Sequence, residues 1–525
     1  MKLQKNIHIH DNEPDFTSFL EKIDMRQCSF KFKSVSVEEV FKTINKLRTS
    51  KCLDVYGLNS IILKQASLSI CEVLTTIFNC IIEKGVYPTV LKRIKVVPVP
   101  KRMNDSYESF RPISIVPTVS KLFELLMYNQ VYEYFESNKI FTDRQFGFRS
   151  GKSTNDAVVS LVIDVVKNIE NKRLVCFRSF DMSKAFDTVN HEILLQKLKF
   201  YGFQQSSIKL INSYLENREQ FASFKNNLSH GKNIDVGVPQ GSSLGPLLFN
   251  IYINDLPYNL LGENINSFLY ADDLGLNVCS ESRDQMSQIM QNATRLISQW
   301  CNANRLCLNL NKLQDLEISF SNRQPLLKEV KPLKFLGVNL DAKLDWKDHI
   351  NMTATKLSKG LYCLRRLEGC VTQDVLIAVY YAQIHSLLSY GTLVWGFQLY
   401  TNKLFILQKK AIRLLSGVRS RTHCKPLFQH FKILSLPAIY IIQVLLYVKC
   451  NLENLSYISN QHNYETRHKN NLQTVFCKYS KSQTNIQYMA AKLFNNLSIE
   501  SQELPIKIFK HKIKTYLIQI CPYTV

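Results

Sequence analysis

Residues 267–279, SFLYADDLGLNVC, set two adjacent carboxylates between two apolar arms. The pattern predicts a β-hairpin with Asp272 and Asp273 at its tip. Neighbouring side chains of a strand point to opposite faces, but a tight turn lets both carboxylates approach one point. Like charges that close raise each other's pKa unless a cation sits between them. A second apolar run, LVCFRSFD at 174–181, also reads as a strand and also ends on an acid, Asp181. Three such acids would form an oxygen-rich site of the kind that suits Mg2+, which takes a few carboxylates and then substrate phosphates. Two ions about 4 Å apart can activate a hydroxyl and steady a departing pyrophosphate. On its own, the Asp pair reads more simply as an ordinary turn, because Asp favours turns.

The flanking segments read as an α+β unit. A helix is predicted near His191 to Tyr201, and Met286, Ile289, Met290, Ala293, Leu296, Ile297 and Trp300 recur at helical spacing. Leu306–Leu310 and Leu316–Phe320 read as strands. The order strand, helix, hairpin, helix, strand suits a split β-α-β sheet with antiparallel strands and helices on one face. Upstream, Val37, Val40, Phe41, Ile44 and Leu47 fit one helix face, and residues 68–82 give a second helix. RIKVVPV at 93–99 reads as a short strand cut by Pro98. Ser120 to Phe135 reads as an amphipathic helix with Ser120 at its cap.

Beyond residue 340 the pattern turns helical and basic. Lys and Arg outnumber Asp and Glu by 66 to 43 in the whole chain, a net charge of +23. In 341–525 the ratio is 24 to 9, and no acid lies between Val375 and Leu452. The surplus points to a polyanionic partner. Lys409, Lys410 and Arg413 cluster there, with Phe405, Phe428 and Tyr440 nearby, and are expected to contact nucleic acid. The 14 Cys are scattered without a C-x-x-C pair, which argues against a disulfide scaffold or a zinc site and for reduced thiols. The N-terminus lacks the apolar core of a signal peptide. The apolar stretch 375–397 is interrupted by Gln383, His385 and Ser386, and 436–448 is too short for a bilayer of about 30 Å; both read as buried helices.

Longer motifs decide between the readings of the acids. Phe180-Asp181-Met182-Ser183-Lys184-Ala185-Phe186-Asp187 resembles reverse transcriptase motif A. Gly237-Val238-Pro239-Gln240-Gly241 to Phe249 resembles motif B, and Tyr270-Ala271-Asp272-Asp273 resembles motif C, in the right order. Phe110-Arg111-Pro112-Ile113-Ser114 and Gln145-Phe146-Gly147-Phe148-Arg149 resemble the finger motifs of non-LTR, LINE-type retrotransposon enzymes. Leu308 to Lys312 and Phe335-Leu336-Gly337 resemble motifs D and E. Ser389-Tyr390-Gly391 to Val394-Trp395 and Thr422-His423-Cys424 resemble the C-terminal part of jockey-like elements.

The resemblance implies a right-hand polymerase: an N-terminal helical extension at 1–92, fingers and antiparallel palm at 93–340, and a helical thumb with a basic C-terminal region at 341–525. It implies an RNA-directed DNA polymerase that extends a primer DNA 3′-end on template RNA with dNTPs, by target-primed reverse transcription. Asp181, Asp272 and Asp273 match the acids that hold two Mg2+ ions, with Mn2+ as a substitute. Phe186 matches the steric gate against a 2′-hydroxyl, or else a packing aromatic. Gln240 and Gly241 match the turn beside the nascent pair. Arg111, and less closely Lys101, match contacts to the triphosphate. Lys312 matches a proton donor to pyrophosphate, and Lys184 and His191 read as structural. The implied location is intracellular, nuclear for integration and cytoplasmic for assembly with RNA, with no membrane partner and an oligomeric state left open.

Some positions depart from the pattern. Arg178 stands in an expected buried strand, where an unpaired guanidinium is costly. Either it pairs locally or the copy is decayed, and in the second case the chain is a catalytically idle nucleic-acid-binding protein. Leu313 replaces a Thr, and Gln314-Asp315 makes its loop polar. The stretch before residue 93 leaves no room for the endonuclease domain usual in such elements. No RNase H, integrase or HNH-like segment is recognisable, which weakens the retroviral and intron-maturase readings.

Overall fold

The computed structural model describes residues 14–24, 28–100, 110–224, 227–320, 331–455, 457 and 471–525. Its strands include β1 (Arg93–Pro100), β2 (Phe110–Ile115), β3 (Leu174–Ser183), β4 (Arg218–Phe224), β5 (Ile265–Tyr270), β6 (Asp273–Ser280), β7 (Cys307–Leu308), β8 (Gln314–Ile318), β9 (Leu333–Phe335) and β10 (Val338–Leu340). Its longer helices include α1 (Val37–Lys46), α2 (Ser67–Lys84), α3 (Thr118–Ser137), α4 (Thr154–Glu170), α5 (His191–Phe200), α6 (Gln205–Leu215), α7 (Gly245–Tyr252), α8 (Arg283–Ala303), α9 (Lys347–Leu367), α10 (Asn402–Ser416), α11 (Leu436–Cys450) and α12 (Ile506–Ile520).

Local chemistry sets the ends of these elements. A reciprocal capping box opens α1: the Ser36 side chain accepts from the Glu39 amide, and Glu39 accepts from the Ser36 amide. α3 begins at Thr118, straight after Pro117, so Ser120 is no cap. Instead Ser120 is fully buried, with its hydroxyl 2.8 Å from that of Tyr87. Nor does Pro98 cut β1. It lies opposite Pro112 in the antiparallel β1–β2 pair, and the parallel partner β4 reaches only Val96. The missing N–H of Pro98 thus falls on an unpaired edge, where no ladder bond is lost. The strand expected at Leu306–Leu310 shrinks to β7 and passes into a 3-10 turn at Leu310–Lys312.

The first sheet runs β2-β1-β4, with short strands at Asn227–Leu228 and Lys232–Ile234 on β4. The second is antiparallel, in the order β8-β3-β6-β5, with β7 on the far end of β3. Helices cover both of its faces, not one as expected. β3 explains why: Cys176, Phe180 and Met182 face one core, while Val175 and Phe177 face another. A strand apolar on both sides needs cover on both sides. The first core gathers α5, α7 and α8, and also α1, α2 and α3; the N-terminal helices are therefore continuous with the sheet's own core. The second gathers α4 with α9 to α12.

The apolar stretch at 375–397 is helical, as expected, but passes through a π-helical turn at Tyr381–His385. α11 is buried on most of its surface. No described helix is long and apolar enough to cross a membrane. All fourteen cysteines are free thiols.

Candidate active site

β5 ends at Tyr270 and β6 begins at Asp273, so Ala271 and Asp272 form the turn. Ala271 sits at φ 55°, a left-handed conformation that a non-glycine residue keeps only when its surroundings hold it. The Gln145 side chain does so. Its Oε1 accepts from the amides of Ala271 (3.1 Å) and Gly147 (2.8 Å). The Phe146 amide donates to the Leu269 carbonyl at 2.8 Å, and the Leu269 amide to the Arg144 carbonyl at 2.9 Å. A Cβ on Gly147 would lie 2.4 Å from the Ala271 nitrogen, so only glycine fits. The Gln-Phe-Gly motif braces the acidic tip, a role its sequence does not announce.

The β3–β6 register sets Asp181 directly across from Asp273. Burial, then Asp272 and Asp181, push the Asp273 carboxyl up to about 6. Burial also raises the Asp272 pKa, with Asp181 adding to it and Arg111 opposing. The Lys312 ammonium lies 2.9 Å from Asp181 Oδ2. Among the described residues no three Asp, Glu, His or Cys groups converge as a ready-made metal cage. The donor set still fits a hard divalent cation: every ligand is a carboxylate oxygen, the acids repel one another, and Mg2+ leaves part of its shell to water and phosphate. A cavity of about 360 Å3 is lined by Asp181, Asp273, Lys312, Lys334 and Leu336 among others.

Motifs A and B are tied together. Phe186 follows β3 on a 3-10 turn, and its ring stacks on Phe249 at 4.3 Å with its edge toward Phe148 at 6.3 Å. The Phe186 carbonyl accepts from the Val238 amide at 2.8 Å. Gln240 Nε2 donates to Asp187 Oδ1 at 2.8 Å, and the Gln240 carbonyl accepts from the Ser114 amide at 2.7 Å. Gly241, at φ 128°, lets the turn meet β2: a Cβ there would come 2.3 Å from the Ser114 carbonyl oxygen. This docks the strand that carries exposed Arg111 against motif B. His191 is bonded to the Gly237 carbonyl at 2.8 Å. Lys101 lies outside the described residues.

Sequence reasoning missed Glu124. It is fully buried in α3, and its Oε2 accepts from the Ser243 (2.7 Å) and Leu244 (3.4 Å) amides, which have no helical partner at the start of α7. Burial raises its pKa, while Arg218 and those amides oppose the rise. An acid inside the apolar run LFELL was its only signal.

The two departures around Arg178 cancel each other. Arg178 and Asp315 face across the β3–β8 pair, and the guanidinium grips the carboxylate in two bonds of 2.6 and 2.5 Å. A third bond reaches Thr294 Oγ1 at 2.7 Å. Local pairing is therefore the answer for Arg178, whose guanidinium is not left unpaired. The basic cluster is less open than its sequence suggests. Lys409 is half-buried, its ammonium 4.4 Å from the ring of Phe405 and 5.3 Å from that of Tyr523. Arg413 donates to the Thr422 carbonyl at 2.8 Å, and Lys410 alone of the three is exposed.

Residues 99–340 match the family model described as reverse transcriptase (RNA-dependent DNA polymerase). This segment belongs to the reverse transcriptase family. The first sheet and the acid-bearing second sheet are thus fingers and palm of a right-hand polymerase fold. A probable RNA-directed DNA polymerase from transposon BS of Drosophila melanogaster is 28% identical over 74% of this chain and 45% of its own length. The RNA-directed DNA polymerase from mobile element jockey of the same species is 27% identical over 74% of this chain and 45% of its own. That of transposon X-element is 27% identical over 66% and 40%. The chain spans less than half the length of these curated relatives.

Proposed function

We propose that the chain is an RNA-directed DNA polymerase of a LINE-type, jockey-like element, which extends a DNA 3′-end on an RNA template with dNTPs. The observation that carries this reading is the register of Asp181 against Asp273 at the tip of the motif C hairpin, within a reverse transcriptase domain. Asp181, Asp272 and Asp273 would hold divalent cations, Mg2+ or in its place Mn2+. When bound, two such ions would lower the pKa of the primer hydroxyl and neutralise charge on the leaving pyrophosphate. Arg111, on the strand docked to motif B, receives the triphosphate. Phe186, wedged on Phe249, presents its ring to the incoming sugar and so selects against a 2′-hydroxyl. Gln240 and Gly241 back the nascent pair. Lys312, within reach of Asp181, delivers a proton to pyrophosphate.

Residues 341–525 act as thumb and duplex-binding region, with Lys410 among their contacts to phosphate. Target-primed synthesis in the nucleus, after assembly with RNA in the cytoplasm, is the setting this implies. The test is primer extension on an RNA template by the purified chain with and without Mg2+. Metal-dependent incorporation of dNTPs is expected, and full activity in Asp272→Asn would overturn the assignment.

A further inference from the structure

Phe148 is a bulky residue on left-handed backbone: it sits at φ 54°, a region that glycine favours and an aromatic residue seldom enters. Its ring is 46% exposed, so core packing does not hold it there. Its neighbours on both sides do. The Gly147 amide donates to Gln145 Oε1 at 2.8 Å, and the Gly147 carbonyl accepts from Asn250 Nδ2 at 2.8 Å. On the other side the Arg149 guanidinium grips Glu136 in two bonds of 2.8 Å and donates to the Thr142 carbonyl at 2.7 Å. The Ser150 amide donates to the Tyr132 hydroxyl at 2.7 Å. A strained residue clamped this firmly, with its side chain left in the open, points to a task other than stability.

The ring that Phe148 meets is Phe186. The two stand edge to face, with centroids 6.3 Å apart and planes at 82°. Phe186 lays its own face on Phe249, with centroids 4.3 Å apart and planes at 25°. A stacked pair resists separation but lets one ring slide over the other. A second ring at a right angle blocks the slide. α7 organises both supports: Phe249 lies against Phe186, and the next residue, Asn250, ties down the backbone beside Phe148.

We infer that Phe148 is a positioning residue for the sugar gate: it holds the Phe186 ring from a second side and so determines how strictly ribonucleotides are excluded. The inference rests on the reading of Phe186 as the gate. Discrimination is a difference between two substrates. A gate ring that can give way admits a 2′-hydroxyl, whereas a dNTP, which has none, gains nothing from the looser ring.

The experiment is single-nucleotide extension by the full chain on an RNA template, with kcat/KM measured for a dNTP and for the matching rNTP, beside a thermal melt. Phe148→Gly removes the ring and relieves the left-handed backbone, so its melting temperature should hold or rise. Its dNTP-to-rNTP ratio of kcat/KM should fall roughly fivefold, the loss expected for one edge-on aromatic contact. Phe148→Tyr, which keeps the ring, should keep the ratio. Phe148→Leu, which keeps bulk without the flat edge, should lower the ratio and decides the matter should Phe148→Gly fold poorly. Added to Phe186→Val, Phe148→Gly should change the ratio no further, because its effect passes through the gate. An unchanged ratio in the folded variant, or a lower melting temperature with both substrates slowed alike, would overturn the role of Phe148 alone. Should Phe186→Val admit no more rNTP than wild type, the gate reading beneath it falls.

Discussion

At the scale of single residues, the three proposed catalytic acids crowd one another, and Asp272 and Asp181 help to raise the Asp273 pKa. Asn in place of Asp181, Asp272 or Asp273 should each cut primer extension by about a thousandfold or more, because the ions they would hold supply most of the charge stabilisation. Asp273 also predicts a pH effect. Its folded pKa of about 6 lies above the unfolded value near 3.9, so the native state holds the extra proton between them. The Asp273 contribution to the stability of the metal-free chain should therefore fall as pH rises from about 4 to 6, and thermal melts of Asp273→Asn against wild type should show that difference over this range. Arg178→Met should cost about 1 kcal/mol in urea unfolding, modest because Asp315 is half exposed, and leave extension intact. That Asp181 and the Asp272-Asp273 pair would meet was legible from sequence because each stands at the end of an apolar strand run. Gln145 and Glu124 were not, because their work is done on backbone amides more than a hundred residues away.

At the scale of elements, two of the supports of the motif B turn come from outside motif A: the Glu124 carboxylate under α7 and the Gly241–Ser114 approach to β2. Glu124→Ala leaves two helix-start amides without their acceptor and the buried Arg218 without a compensating charge, and should destabilise by about 2–4 kcal/mol in chemical denaturation. Glu124→Gln, which keeps an acceptor oxygen, should fold but raise KM for dNTP through a shifted Gln240. Gly241→Ala should raise it more steeply, since its Cβ would meet backbone rather than a flexible side chain. The hairpin, β3 and the long helices could be read from periodicity, because each buries one kind of surface along its length. Pro98 misled because whether a proline breaks a strand depends on which edge is paired, and a strand cannot reveal its neighbours. Helices on both faces of the palm were missed for a related reason: α4 precedes β3 in the chain, whereas the rest of that cover comes after residue 340.

At the scale of the whole molecule, charge and core are divided differently. Most of the positive surplus lies after residue 340, yet part of it is turned inward onto rings and carbonyls. Lys410→Glu should weaken duplex binding alike for all sequences and reduce the salt slope by about one or two ions, measured by anisotropy over a salt series. Lys409→Met should leave that slope alone and cost about 1 kcal/mol of stability through lost contact with Phe405 and Tyr523. The two-sided palm also sets an order on its making. When β3 leaves the ribosome, Val175 and Phe177 have α4 to lie against, but Phe335, which packs on Phe177, comes much later in the chain. At about 5–20 residues per second, the stretch from Ser183 to Phe335 takes on the order of ten to thirty seconds to emerge. Until then one side of the strand that bears Asp181 is a half-covered apolar surface. A ribosome that halts before β9 releases a chain in which Asp181, Asp272 and Asp273 are all made but the sheet is still open on that side.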